Sequence, residues 1–233
     1  MDHPLISCDD HLDLNQLPTD LWTSRLPAHL KDRGPKVEMV DGRMTWMCEG
    51  KSLGAWSGQA SGMNGPKPIF TALDRGGIVD QTERRPAVQK LRLQDMDRDG
   101  VWAHVIFGPV TSLNFEDEEL RDACYAVYNE WLKEFCAYAP DRLIGVPLLP
   151  PHPAAALKEL EHIIAIGGFK QANLQIAMAE PRLEDARWEP LWEMLEKNDI
   201  ILSFHVTVFA SVSRAFDKYK GSPGATFLHV KMF

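Results

Sequence analysis

From about residue 87 onward the chain alternates apolar runs of strand length with helical stretches, and this restricts the fold more than any other feature. Residues 88–96 read as helix and residues 101–107 as the strand that follows. Over 116–139 a helical period sets Leu120, Ala123, Val127, Trp131 and Phe135 on one face. Residues 143–149 form the next strand, and 153–166 a helix with Pro153 in its first turn and Gly167 and Gly168 at its end. A strand at 172–177, a helix at 188–197 and a strand at 200–206 continue the series. With an early apolar run at 4–13, the order is one strand, a long insertion, and then helix and strand in turn. Such alternation indicates parallel βα units.

A doubly wound open sheet and a (β/α)8 barrel both satisfy that order. No G-x-G-x-x-G or G-x-x-x-x-G-K-S follows the first strand, so the usual nucleotide-binding signs of the open sheet are missing. Residues 14–90 carry little sustained period and many Gly, Pro, Trp and Met residues. They are expected to form an elaborate loop with short helices covering the C-terminal ends of the strands. A complete barrel takes about 250 residues, and residues 225–233 are mostly apolar to the last. The expectation is one domain over 1–233, a TIM-type barrel truncated after about five strands.

The chain has 233 residues with 25 Lys+Arg against 33 Asp+Glu, a formal charge of -8. That balance lacks the basic footprint of a nucleic-acid binder. No window holds the ~18 apolar residues of a membrane span, and no basic segment followed by an apolar one opens the chain. Cys8, Cys48, Cys124 and Cys136 show no C-x-x-C spacing and are expected as reduced thiols in a cytoplasmic protein.

Asp9 and His11 are the most suggestive local pair. Residues i and i+2 of a strand share a face, so both side chains would project from the end of the first strand, where barrels build active sites. Carboxylate oxygen and imidazole nitrogen are suitable ligands for a divalent metal such as Zn²⁺. His205 closes the apolar run 200–204 at the end of the fifth strand and supplies a third candidate ligand. Asp95, Asp97 and Asp99 imitate the opening of a calcium loop, but its twelfth position is Ile106 rather than Glu, so they are expected to turn the chain into the second strand. His104 lies inside that strand, where a core or neighbouring-contact role is expected rather than ligation. His152 follows the third strand in a site-facing loop and is a candidate substrate contact. Trp46, Trp56 and Met63 are candidate walls of a substrate pocket or packing residues of the insertion.

Several blocks resemble the amidohydrolase-related family typified by aminocarboxymuconate-semialdehyde decarboxylase. They are residues 6–11 (ISCDDH), 95–101 (DMDRDGV), 128–132 (YNEWL), 140–145 (PDRLIG) and 202–206 (LSFHV), in the family's order along almost the whole chain. The resemblance implies a metal-dependent (β/α)8 barrel with Asp9, His11 and His205 as metal ligands. It also implies a catalytic His from strand six and an Asp ligand from strand eight. His229 is the candidate for the former, although it falls in a segment expected to be helical; the latter has no counterpart. The implied cofactor is one divalent ion, zinc or alternatively manganese, and the implied substrate a small carboxylic acid. Non-oxidative decarboxylation of an unsaturated or aromatic acid is the leading activity, with metal-dependent hydrolysis of a C–N or C–O bond as the alternative. A catalytically inactive fragment or a half barrel completed by a partner is a further alternative, and a homodimer is the assembly considered.

Overall fold

The computed structural model describes residues 4–56, 59–62, 65–68, 85–109, 113 and 115–205. They fall into two compact units, Met1–Val146 and Pro147–Phe233.

The first unit opens with β1 (Leu5–His11) and a short helix α1 (Leu21–Arg25). Strands β2 (Lys36–Val40), β3 (Arg43–Cys48) and β4 (Lys51–Ala55) follow as an antiparallel sheet in that order, and β5 (Gln59–Gly62) pairs antiparallel with β6 (Gly65–Pro68). This part of the insertion is therefore a β-meander, not the loop with short helices that its weak periodicity suggests. Its turns explain the difference. Asp41-Gly42 and Glu49-Gly50 take left-handed φ values of 48°, 75°, 47° and 77°, and two-residue turns of that hand match the twist of paired strands. Trp22 of α1 and Trp46 of β3 are 0% exposed and meet edge to face at 5.0 Å, forming the core of the insertion.

The βα series resumes with α2 (Gln89–Asp99), β7 (Val101–Phe107), α3 (Glu118–Cys136) and β8 (Leu143–Gly145). Gly100, at φ 71°, ends α2 and lets β7 begin at the next residue. The strands form a parallel sheet in the order β1–β7–β8. Asp117 caps α3 by accepting the Leu120 N–H at 2.9 Å, and the buried face of α3 includes Leu120, Cys124, Tyr128, Trp131, Leu132 and Phe135. Burying each such large side chain stabilises the fold by about 1.5–3 kcal/mol. A Cβ at Gly145 would stand 2.9 Å from Leu132 Cγ, so α3 approaches β8 as closely as glycine permits. Asp95 and Asp97 lie within α2 rather than in the turn after it. They pair at 2.7 Å with Arg85 and Arg142, respectively.

In the second unit β9 (Leu148–Leu149), α4 (Pro153–Ile166), β10 (Gln171–Leu174), α5 (Glu189–Lys197) and β11 (Ile201–Ser203) form a parallel sheet in the order β9–β10–β11 with helical crossovers. The stretch expected as one strand over 143–149 is interrupted at Val146 and Pro147. Proline has no N–H to offer a ladder, while its carbonyl still accepts the Asn173 N–H at 2.8 Å. Trp188 is buried, stacks on Trp192 at 5.7 Å and donates to the Pro181 carbonyl at 3.0 Å, which fixes the start of α5.

Candidate functional site

The C-terminal end of β1 collects the acidic and imidazole groups. His11 Nε2 stands 3.4 Å from Asp9 Oδ1, and His11 Nδ1 stands 3.3 Å from Asp13 Oδ1. The His11 side chain is 28% exposed, whereas Asp9 and Asp13 are largely open to solvent. The hydrogen bond with Asp13 raises the His11 pKa above its usual value; burial opposes it, and the charges of Asp13 and Asp9 add to it. A neutral imidazole has one N–H and one lone pair, so it can donate to only one of two carboxylates. When Asp13 accepts the Nδ1–H, the Nε2 lone pair faces the Asp9 oxygen. Either a proton or a cation relieves that juxtaposition. A carboxylate on the far nitrogen of a ligating histidine is the usual way of fixing its tautomer, so Asp9 and His11 suit a divalent metal.

Behind the pair, the strand end is held by Arg92, which is 4% exposed. Its Nη2 donates to the His11 carbonyl at 2.6 Å, its Nε to the Pro86 carbonyl at 2.7 Å, and its Nη1 lies 3.0 Å from His104 Nδ1. Asp10 completes the cluster, 3.1 Å from His104 Nδ1 and 3.5 Å from Arg92 Nη1. Burial lowers the pKa of both Arg92 and His104, in each case against the pull of Asp10. Arg92 and Asp10 thus form a charged pair, with His104 favoured in its neutral form as the third member. The expected neighbouring-contact role for His104 is what the structure shows. Asp13 and Arg92 are the residues that sequence reasoning missed. The available signal for Arg92 was its position four residues before Met96, both on the buried face of α2.

In the second unit His205 lies two residues beyond β11, and its backbone N–H donates to Asn173 Oδ1 at 3.0 Å. The imidazole is therefore carried at the C-terminal end of a parallel strand, as the sequence suggests. His152 is the N-cap residue of α4, with Nδ1 3.1 Å from the Glu180 carbonyl. It lines a pocket of 620 Å³ with Pro153, Leu157, Pro181, Arg187 and Pro190 among its other walls. Trp46 is fully buried and donates to the Leu14 carbonyl at 2.7 Å. Trp56 Nε1 donates to the Leu17 carbonyl at 3.0 Å. Met63 and His229 lie outside the described residues.

Among solved structures, the chain is similar to an amidohydrolase from Mycobacterium avium subsp. paratuberculosis K-10, with TM-score 0.64, 19% identity, and coverage of 98% of this chain and 65% of that one. It is also similar to 2,6-dihydroxybenzoate decarboxylase from Rhizobium, at TM-score 0.53, 18% identity, 94% of this chain and 55% of that one. A third is 5-carboxyvanillate decarboxylase from Novosphingobium aromaticivorans DSM 12444, complexed with manganese and 4-hydroxy-3-methoxy-5-nitrobenzoic acid, at TM-score 0.53, 17% identity, 87% of this chain and 50% of that one. The chain spans 65%, 55% and 50% of the length of these three structures. No curated protein matches it. A family model described as "Amidohydrolase" matches residues 109–231, just over half of the 233 residues. The chain belongs to the amidohydrolase family.

Proposed function

We propose that this chain supplies the metal-binding part of a carboxy-lyase that removes CO2 from an aromatic or unsaturated carboxylic acid without an oxidant. The observation that carries the reading is the Asp9–His11 pair, 3.4 Å apart at the end of β1, with Asp13 on the opposite imidazole nitrogen. Asp9, His11 and His205 hold one divalent ion, manganese or zinc, and the parallel βα units belong to a (β/α)8 barrel with residues 14–90 over its strand ends. Support comes from the family and from the decarboxylases of similar fold, one of which was crystallised with manganese and a nitrobenzoic acid.

A bound divalent ion would supply positive charge to orient the substrate carboxylate and its neighbouring oxygen, and to stabilise negative charge as the carbon–carboxylate bond breaks. The chain's own residues prepare for this. Asp13 holds the Nδ1 proton of His11 and so turns Nε2 toward the ligand side, while Arg92 fixes the backbone at His11 so that both ligands stay at one strand end. Cleavage releases CO2, and the substrate carbon that bore the carboxylate takes up a proton.

Metal-dependent hydrolysis of a C–N or C–O bond is the second reading, favoured by the family description itself. CO2 release from 2,6-dihydroxybenzoate and 5-carboxyvanillate, assayed beside amide and lactone hydrolysis with added Mn²⁺ or Zn²⁺, separates the two. Decarboxylation lost in Asp9→Ala and His11→Ala supports the carboxy-lyase. Hydrolysis without decarboxylation supports the second reading.

A further inference from the structure

The second unit contains two buried amide side chains whose donors meet no acceptor among the described residues. Asn173, on β10, is 0% exposed and Gln175, just after it, is 8% exposed. Asn173 Nδ2 and Gln175 Nε2 are buried, with no hydrogen-bond partner among the described residues. Buried polar nitrogens are almost always satisfied, so each exception calls for a physical account, and an acceptor from outside the chain is one.

The two amides are related by strand geometry. Asn173 is the next-to-last residue of β10 and Gln175 the first residue beyond it, so both amides lie at the C-terminal end of that strand. The place is identified by Asn173 itself, whose Oδ1 accepts the His205 N–H at 3.0 Å. That bond also assigns the Asn173 amide: the oxygen points to His205 and the NH2 group away from it. Asn173 pairs in register with Ser203, two residues before His205. The apolar neighbours Leu148, Leu149, Ala172 and Leu174 are all buried, so the amides sit in surroundings where an unmet donor is costly.

We infer that Asn173 and Gln175 form an oxygen-binding site at the end of β10, donating their amide N–H groups to a carboxylate or phenolate oxygen of the substrate beside His205. Both donors are neutral, so they suit an oxygen carrying one charge or less and do not balance a phosphate dianion. The identity of the ligand rests on the carboxy-lyase reading; the presence of an acceptor site does not.

The test is side-chain amide NMR on the full ¹⁵N-labelled chain, titrated with benzoate and with 2,6-dihydroxybenzoate, with and without Zn²⁺. Asn173→Asp keeps the oxygen that accepts from His205 and removes the donor; Gln175→Met removes the other donor without adding charge. The expected result is a saturable downfield shift of both amides, with the Asn198 amide, which bonds to the Met194 carbonyl at 2.8 Å, unmoved as the internal control. Affinity should fall about tenfold or more in each variant. If Asn173→Asp fails to fold, Gln175→Met decides. Amides that stay unmoved while the probe binds, or variants that bind it with unchanged affinity, overturn the inference and leave an ordered water as the acceptor. If no probe binds under either condition, the inference is likewise overturned. Metal content measured on the same samples judges the metal site separately: amides that respond in a chain that binds no metal sink the carboxy-lyase reading and leave the oxygen site standing.

Discussion

Replacing Arg92 with methionine should destabilise the first unit by about 3 kcal/mol. Arg92 is 4% exposed and donates at 2.6 and 2.7 Å to the carbonyls of His11 and Pro86. Hydrogen bonds from a charged donor are worth roughly 1.5–3 kcal/mol each, so the two give about 3–6 kcal/mol before any offset. Methionine keeps part of the packing of the arginine stem. It also removes the cost of burying a charge, the burial that lowers the arginine pKa, which offsets part of the loss. Asp10, 3.5 Å away, also loses its cationic partner, but its carboxylate is partly open to solvent, so that loss adds little. A net loss near 3 kcal/mol, the low end of the hydrogen-bond range, follows. Urea unfolding followed by far-UV circular dichroism measures it from the midpoint at constant slope. The double variant Arg92→Met, Asp10→Asn should recover part of the loss, because it leaves no unpaired charge. A loss below about 1 kcal/mol in the single variant would refute the clamp, since a surface arginine gives that little.

Three other outcomes follow from the same geometry. A Cβ at Gly108 would overlap the Tyr128 hydroxyl, so Gly108→Ala should destabilise by about 1–3 kcal/mol through overpacking, and Gly108→Ala combined with Tyr128→Phe should recover part of it in thermal melts. His104 has its pKa lowered by burial, so the unfolded chain binds its proton first. Stability should be full above about pH 6.5 and fall as the pH drops from there toward the lower folded value; His104→Gln should flatten that slope in unfolding curves taken between pH 5 and 8. Asp13→Asn should weaken metal binding about 10- to 100-fold by isothermal titration, with the fold unchanged by circular dichroism; unchanged affinity would remove Asp13 from the site.

What could be read from the sequence follows the range of the forces that encode it. The helix expected over 153–166 is α4 as observed, because Pro153 at its start and Gly167 after its end are local signals. The strand over 101–107 is likewise complete, since its apolar run and the preceding glycine need no tertiary context. The run 143–149 was apolar throughout, yet the missing N–H of Pro147 divides it. The meander at 36–55 lacked strict alternation, and its Asp-Gly and Glu-Gly turns carry the information that its strands do not. Spacing alone sufficed to bring Asp9 beside His11, since two residues of one strand share a face. Arg92 and Asn173 escaped notice because each is a polar residue in an apolar setting, and only the packed structure shows what each one holds.

The proposed metal site puts Asp9, His11 and His205 on one divalent ion. Electron paramagnetic resonance of Mn²⁺ titrated into metal-free protein tests it most directly. One bound ion per chain, with binding weakened in Asp9→Ala, His11→Ala and His205→Ala alike, is the result expected. Absence of stoichiometric binding, or binding that survives all three substitutions, would contradict it.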